Sequence, residues 1–231
     1  NIREIESKRP IKKKNLEAVG CTYLDVIREK LKSPEFAVRK YFSNDRQTVL
    51  ISPTWGSHGL LSVCGDKVFQ LLIEKTDYNI IVRPHPQSYV SEIEMIEFLK
   101  EKYTDNQRIY WDSDRSNLNS LAQSDIMISD FSGIIFDNLF IFGKPVISHV
   151  SGYDKRGKDT MDIDEDPWEI KVLRNIGSNI NDGNIDSLPD MLKENLEKGG
   201  EMTSVIDTLR KDMDKYPGES GKRCAEYIYN L

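Results

Sequence analysis

Five short runs of apolar and β-branched residues recur along the chain: TVLISP (48–53), YNIIVRP (78–84), RIYW (108–111), DIMIS (125–129) and KPVISH (144–149). Between them lie stretches whose apolar residues fall at helical spacing. In the first, 62–75, Val68, Leu71 and Leu72 share a face. In SEIEMIEFLKEKY (91–103), Ser91 stands as N-cap and Ile93, Ile96 and Leu99 line one side. SNLNSLAQS (116–124) reads as a short helix, and FSGIIFDNLFIF (131–142) as a longer one closed by Gly143. Strands that are apolar on both faces must be covered on both faces. Alternation with helices therefore predicts an α/β fold with a doubly wound, Rossmann-like parallel sheet.

After His149 the rhythm breaks. SGYDKRGKDTMDIDEDPWE (151–169) is polar and reads as a long functional loop, and from about Ile185 the chain returns to two or three helices. Leu16 to Lys32 reads as a loop and helix leading into the sheet. The expected division is 1–46, a linker and remnant of a preceding domain, and 47–231, a Rossmann-like domain with C-terminal helices. The polar opening NIREIESKRPIKKKN fits a chain cut from something longer.

Composition removes several classes of function. A formal net charge of −6 offers no basic excess for a general nucleic-acid binder. Cys21, Cys64 and Cys224 are odd in number and far apart, so they form neither a disulfide framework nor a paired metal motif, as suits a reducing cytoplasm. No apolar run approaches the ~18 residues that span a bilayer.

Ligands of open parallel sheets bind beyond the carboxyl ends of the strands. Three segments fall there: SPTWGSHG after the first strand, RPHP after the second and SDFSG after the fourth. None is a P-loop or a Gly-rich dinucleotide fingerprint. Ser129, Asp130, Ser132 and Gly133 meet the start of a helix, where free N–H groups and the dipole suit a phosphate; the same residues equally suit plain N-capping. Arg83 and His85, two residues apart in an extended chain stiffened by Pro84 and Pro86, could grip one oxyanion together. A lone histidine is as readily structural. Trp55 reads as core or wall, His58 as a solvent-facing loop residue, and His149 as structural.

Taken together, SPTWG, RPHP, SDFSGIIFDNLFIFGKP, YDKRG, the terminal GESGKRCAEYI and the early VGCTYLD resemble the CDP-glycerol glycerophosphotransferase family, the teichoic-acid primases and polymerases. The likeness runs from about Val19 to the end. It implies the C-terminal half of a GT-B glycosyltransferase-like fold, with the N-terminal domain missing and with it the acceptor-side base. It implies transfer of an alditol phosphate from a CDP-activated donor, CDP-glycerol or a related CDP-alditol, to a hydroxyl of a lipid-linked polymer acceptor. It places the enzyme in the cytoplasm, at the inner face of the membrane, calls for no cofactor, and leaves the metal requirement open.

By the same resemblance Arg83 and His85 are catalytic. Thr54, Trp55, Ser129, Asp130, Ser132, Gly133, Asp137 and Arg156 hold the donor. Two positions depart from the family: Phe131 stands for its tyrosine and Gly133 for its second serine, which leaves the identity of the donor open. The alternatives are another GT-B nucleotide-sugar transferase or 2-epimerase-like enzyme, and a non-enzymatic module of flavodoxin-like type.

Overall fold

The computed structural model describes residues 16–150, Tyr153 and residues 164–230. The five apolar runs form β1 (Thr48–Ile51), β2 (Asn79–Val82), β3 (Ile109–Trp111), β4 (Ile126–Ser129) and β5 (Val146–Ser148). A sixth strand, β6 (Ser178–Asn179), joins the far edge. It carries no apolar run to announce it. Polar side chains hold it instead, with Ser148 Oγ donating to Asn179 Oδ1 at 2.9 Å and Asn195 Nδ2 to Ser178 Oγ at 2.7 Å.

All neighbours pair parallel, in the order β3-β2-β1-β4-β5-β6. Leu50, Ile81, Met127 and Ile147 in the inner strands are fully buried, as a sheet covered on both faces requires. The chain winds outward from β1 to β3, crosses back to β4 beside β1, and winds the other way. This is the dinucleotide-type order and not the 2-1-3-4-5 order of a flavodoxin-like module, and it puts the topological switch point between β1 and β4.

Three helix boundaries differ from expectation, each for a tertiary reason. Helix α2 (Leu60–Lys75), following α1 (Thr22–Lys32), starts at Leu60 rather than Ser62 and carries non-helical backbone at Cys64 (φ −145°, ψ 20°). Ser91 does not cap the next helix. It ends a single turn, α3 (Ser88–Ser91), and its Oγ donates back to the Gln87 carbonyl at 3.0 Å. The N-cap position of α4 (Ile93–Lys102) belongs to Glu92, which makes no cap bond because its carboxylate is used elsewhere. After α5 (Leu118–Gln123), the expected long helix is α6 (Ile134–Asp137) running into a π-helical turn, Asn138–Phe142. Gly143, at φ 65°, closes it by donating its N–H to the Asn138 carbonyl at 2.9 Å. Helices α7 (Trp168–Asn175), α8 (Leu188–Glu197), α9 (Gly199–Met213) and α10 (Ser220–Tyr229) complete the chain.

The chain divides into two compact units, Val38–Val205 and Asn1–Ala37 with Ile206–Leu231. Within the smaller unit, Asp25 on α1 accepts N–H bonds from Gly218 (2.6 Å) and Ser220 (3.0 Å), and Arg28 pairs with Asp214. The three cysteines are free, and among the described residues no helix is long and apolar enough to cross a membrane.

Candidate functional site

At the switch point β1 and β4 are fastened to each other just past their carboxyl ends. Ser129 Oγ, fully buried, donates to the Ser52 carbonyl at 2.6 Å. Asp130 is also fully buried. Its Oδ1 accepts the Thr54 N–H at 2.9 Å, and its Oδ2 accepts the Leu60 N–H at 2.9 Å. Burial pushes its pKa up to about 6, against the pull of the N–H groups of Leu60, Thr54, Ser132 and Phe131, so at neutral pH it is a carboxylate.

That position has a consequence for ligand binding. The first βα turn is where a dinucleotide-binding sheet receives its pyrophosphate, on the helix N-terminus. Here Gly59 gives α2 no side-chain cap, and Asp130 supplies the anion from a different strand. Ser129 and Asp130 therefore shape the edge from within rather than face the crevice.

The exposed donors lie one step further along. Ser132 is half-buried and Gly133 exposed at the start of α6. Neither the Ser132 hydroxyl nor the Gly133 N–H has a partner among the described residues. A Cβ on Gly133 would meet nothing within 4 Å, so the glycine leaves open space at this point. Asp137 turns away to accept a bond from Asn117 Nδ2 at 2.9 Å, joining α6 to the start of α5. Phe131 stands edge-on to Tyr153, with ring centroids 5.5 Å apart.

The Arg83 guanidinium is turned to a neighbouring carboxylate, apart from His85. The Arg83 guanidinium donates to Asp112 Oδ2 at 2.7 Å and to the Asp114 carbonyl at 2.7 Å. The Asp112 side chain has no exposure at all, and a buried carboxylate needs a cation close by. Because Val82 pairs with Trp111, the next residues along the two strands, Arg83 and Asp112, fall opposite one another. A Ser120 hydroxyl bond completes the carboxylate's shell. Asp112 was legible as a charge just past the third strand, but its partnership needed the register.

His85 is differently placed. Its Nδ1 accepts the Gln87 N–H at 3.0 Å, so the neutral ring carries its proton on Nε2. That atom has no hydrogen-bond partner among the described residues. Trp55, 48% exposed, lies with its ring 6.4 Å from the imidazole; it forms a wall and no part of the core. Thr54 is half-buried, tethered by its backbone to Asp130. His58 is exposed in the loop, and His149 is buried after β5, where desolvation lowers its pKa and keeps it neutral. Arg156 lies outside the described residues. Among the described residues no group of three or more His, Cys, Asp and Glu side chains could hold a metal ion.

The edge thus gathers His85, Trp55, Ser132 and Gly133, while Arg83, Ser129, Asp130 and Asp137 are engaged within the protein. One residue missed in the sequence is Glu92, whose Oε1 accepts the Gly56 N–H at 2.9 Å and the Ser62 hydroxyl at 2.7 Å.

Comparison with known proteins places this geometry. The family model described as CDP-glycerol:poly(glycerophosphate) glycerophosphotransferase matches residues 3–168 of the 231. Nothing among curated proteins matches. Among solved structures, the Methanocaldococcus jannaschii UDP-GlcNAc 2-epimerase in complex with UDP-GlcNAc and UDP aligns with a TM-score of 0.60 at 18% identity, over 100% of this chain and 57% of its own. The Neisseria meningitidis UDP-GlcNAc 2-epimerase bound to UDP-GlcNAc aligns with a TM-score of 0.59 at 16% identity, over 93% of this chain and 55% of that one. S. aureus MnaA with UDP gives 0.57 at 16% identity, over 93% and 55%. The chain spans a little over half the length of these structures. The shared architecture is the Rossmann-like α/β fold of GT-B glycosyltransferase-like enzymes.

Proposed function

The chain belongs to the CDP-glycerol:poly(glycerophosphate) glycerophosphotransferase family, and from that premise we propose that its sheet edge binds a CDP-activated alditol phosphate for transfer to a hydroxyl acceptor. The observation that carries the reading is the division of labour beyond the carboxyl ends of β1, β2 and β4. The charged groups Arg83 and Asp130 are consumed internally, while neutral donors, His85 Nε2–H, Ser132 Oγ–H and Gly133 N–H, are left without partners among the described residues.

In this reading the diphosphate lies on the β4–α6 side, because the first N–H of α2 is already taken by Asp130 while the Ser132 hydroxyl and the Gly133 N–H have no partner among the described residues. An acceptor oxygen attacks the β-phosphorus, forming one P–O bond as the P–O bond to CMP breaks, and the hydroxyl proton passes to the acceptor-side base that the family resemblance assigns to the N-terminal domain. Charge on the transferring group is stabilised by positioned donors, with His85 Nε2–H directed at a phosphoryl or leaving oxygen. Trp55 walls the site beside it. Arg156, matching the family's Arg-Gly, supplies the cation. The acceptor is a lipid-linked polymer in teichoic-acid or surface-polymer synthesis at the inner face of the membrane.

Thermal unfolding with added nucleotides tests the reading. CDP should raise Tm in a concentration-dependent way, and UDP at the same concentration should not. UDP is the informative control because the fold is shared with UDP-binding enzymes. A shift with UDP alone would favour a nucleotide-sugar enzyme instead. With an active preparation, His85→Ala should lower kcat by roughly 100-fold or more, and near-normal turnover would remove His85 from the chemistry.

A further inference from the structure

The loop from Ser52 to Gly59 carries Trp55 and makes one wall of the crevice. Two carboxylates from outside it hold its backbone. Asp130 takes the N–H groups at its ends, Thr54 and Leu60, and Glu92, at the junction of α3 and α4, takes the Gly56 N–H at its tip. Gly56 sits at φ +100°, a conformation that a side chain would strain, so the tip is a single sharply defined turn. We infer that Glu92 is the positioning residue of this loop, fixing Trp55 against His85 through the Gly56 amide and the first turn of α2.

The chemistry is specific at the level of one atom. Both donors, the Gly56 N–H at 2.9 Å and the Ser62 hydroxyl at 2.7 Å, converge on Oε1. A glutamine presents the same oxygen and keeps both bonds, an alanine presents none, and an aspartate is a methylene too short. The requirement is thus for an acceptor at that point rather than for a negative charge. Glu92 also leaves the N-cap position of α4 without a side-chain bond, so its carboxylate serves the loop and not its own helix.

The consequence for ligands rests on the donor-binding reading; the loop geometry does not. In the full chain, hydrogen exchange at the Gly56 amide reads the clasp directly, and calorimetric titration with CDP reads the wall. Glu92→Ala should exchange at Gly56 about tenfold faster and bind CDP about tenfold more weakly, the scale of one lost ordinary hydrogen bond. Glu92→Gln should stay within about twofold of the wild type in both. Unchanged Gly56 exchange in Glu92→Ala overturns the inference, as does Glu92→Gln behaving like Glu92→Ala. If the wild type takes up no CDP while Gly56 exchange responds as expected, the donor-binding reading fails and the clasp stands.

Discussion

Arg83 shows how one residue type at one position can carry two opposite meanings. An arginine past a strand end, two residues from a histidine, has the chemistry of an oxyanion clamp, and here it neutralises a buried aspartate instead. The two roles make different predictions. Removing the guanidinium leaves Asp112 buried with only the Ser120 hydroxyl and the Asp114 N–H as partners, which should cost about 3–5 kcal/mol. Arg83→Ala should therefore lower the urea midpoint sharply. Combining Arg83→Met with Asp112→Asn should recover part of the loss, since no unpaired charge remains. Were Arg83 a free ligand-binding cation, Arg83→Ala would weaken nucleotide binding at unchanged stability. His85 stands on the other side of that distinction, with one ring nitrogen committed to the Gln87 amide and the other available.

At the scale of elements, the family-like Lys-Pro before β5 has a structural use. Lys144 reaches the C-terminal end of α5, donating to the carbonyls of Leu121 at 2.6 Å and Ala122 at 2.8 Å. Burial lowers its pKa to about 8, with Asp125 pulling the other way. In the unfolded chain a lysine titrates near ~10.4. Between about 8 and 10.4 the unfolded state holds a proton that the folded state has released, so this group makes stability rise with pH across that window. Lys144→Met should flatten that rise in urea unfolding at successive pH values. An identical pH slope in wild type and variant would contradict the buried-lysine geometry.

The same scale shows what could be read from sequence. The four inner runs were visible because a parallel strand covered on both faces must be apolar on both, and RIYW, the half-buried edge strand β3, was visible by its β-branched and aromatic residues. Strand β6 was not visible, because Ser178 and Asn179 are held by side chains of Ser148 and Asn195 from other elements. The start of α2 was misplaced for the same reason, its first N–H being held by Asp130 from another strand. At the site, the chemistry-bearing positions were legible as residue types at strand ends. Which of them face outward depended on pairings such as Arg83 with Asp112 that no local pattern contains.

Among the described residues, the longest-range hydrogen bonds join two sequence features at opposite ends of the chain. The Gly-x-x-x-x-Asp of VGCTYLD and the terminal GESGKR meet in the smaller unit. Gly20, at φ +94°, lies so close to Ser220 that a Cβ would come within 2.4 Å of its hydroxyl oxygen. Asp25 Oδ1 accepts the Gly218 N–H and its Oδ2 the Ser220 N–H, capping α10 from a distance of nearly the whole sequence. Each carboxylate oxygen here faces its own donor. Asn at this position would turn an N–H₂ group toward one of them, so Asp25→Asn should be nearly as damaging as Asp25→Ala, in contrast with the forgiving Glu92→Gln. Both Asp25 variants should lose about 1–3 kcal/mol in this unit, and Gly20→Ala should do the same through strain and overlap. Hydrogen exchange resolves where the loss falls. Protection should drop across Ser220–Tyr229 while the amides of β1, β2 and β4 keep theirs. An Asp25→Ala variant whose last helix stays as protected as the wild type would show that the two motifs are held together by something other than this carboxylate.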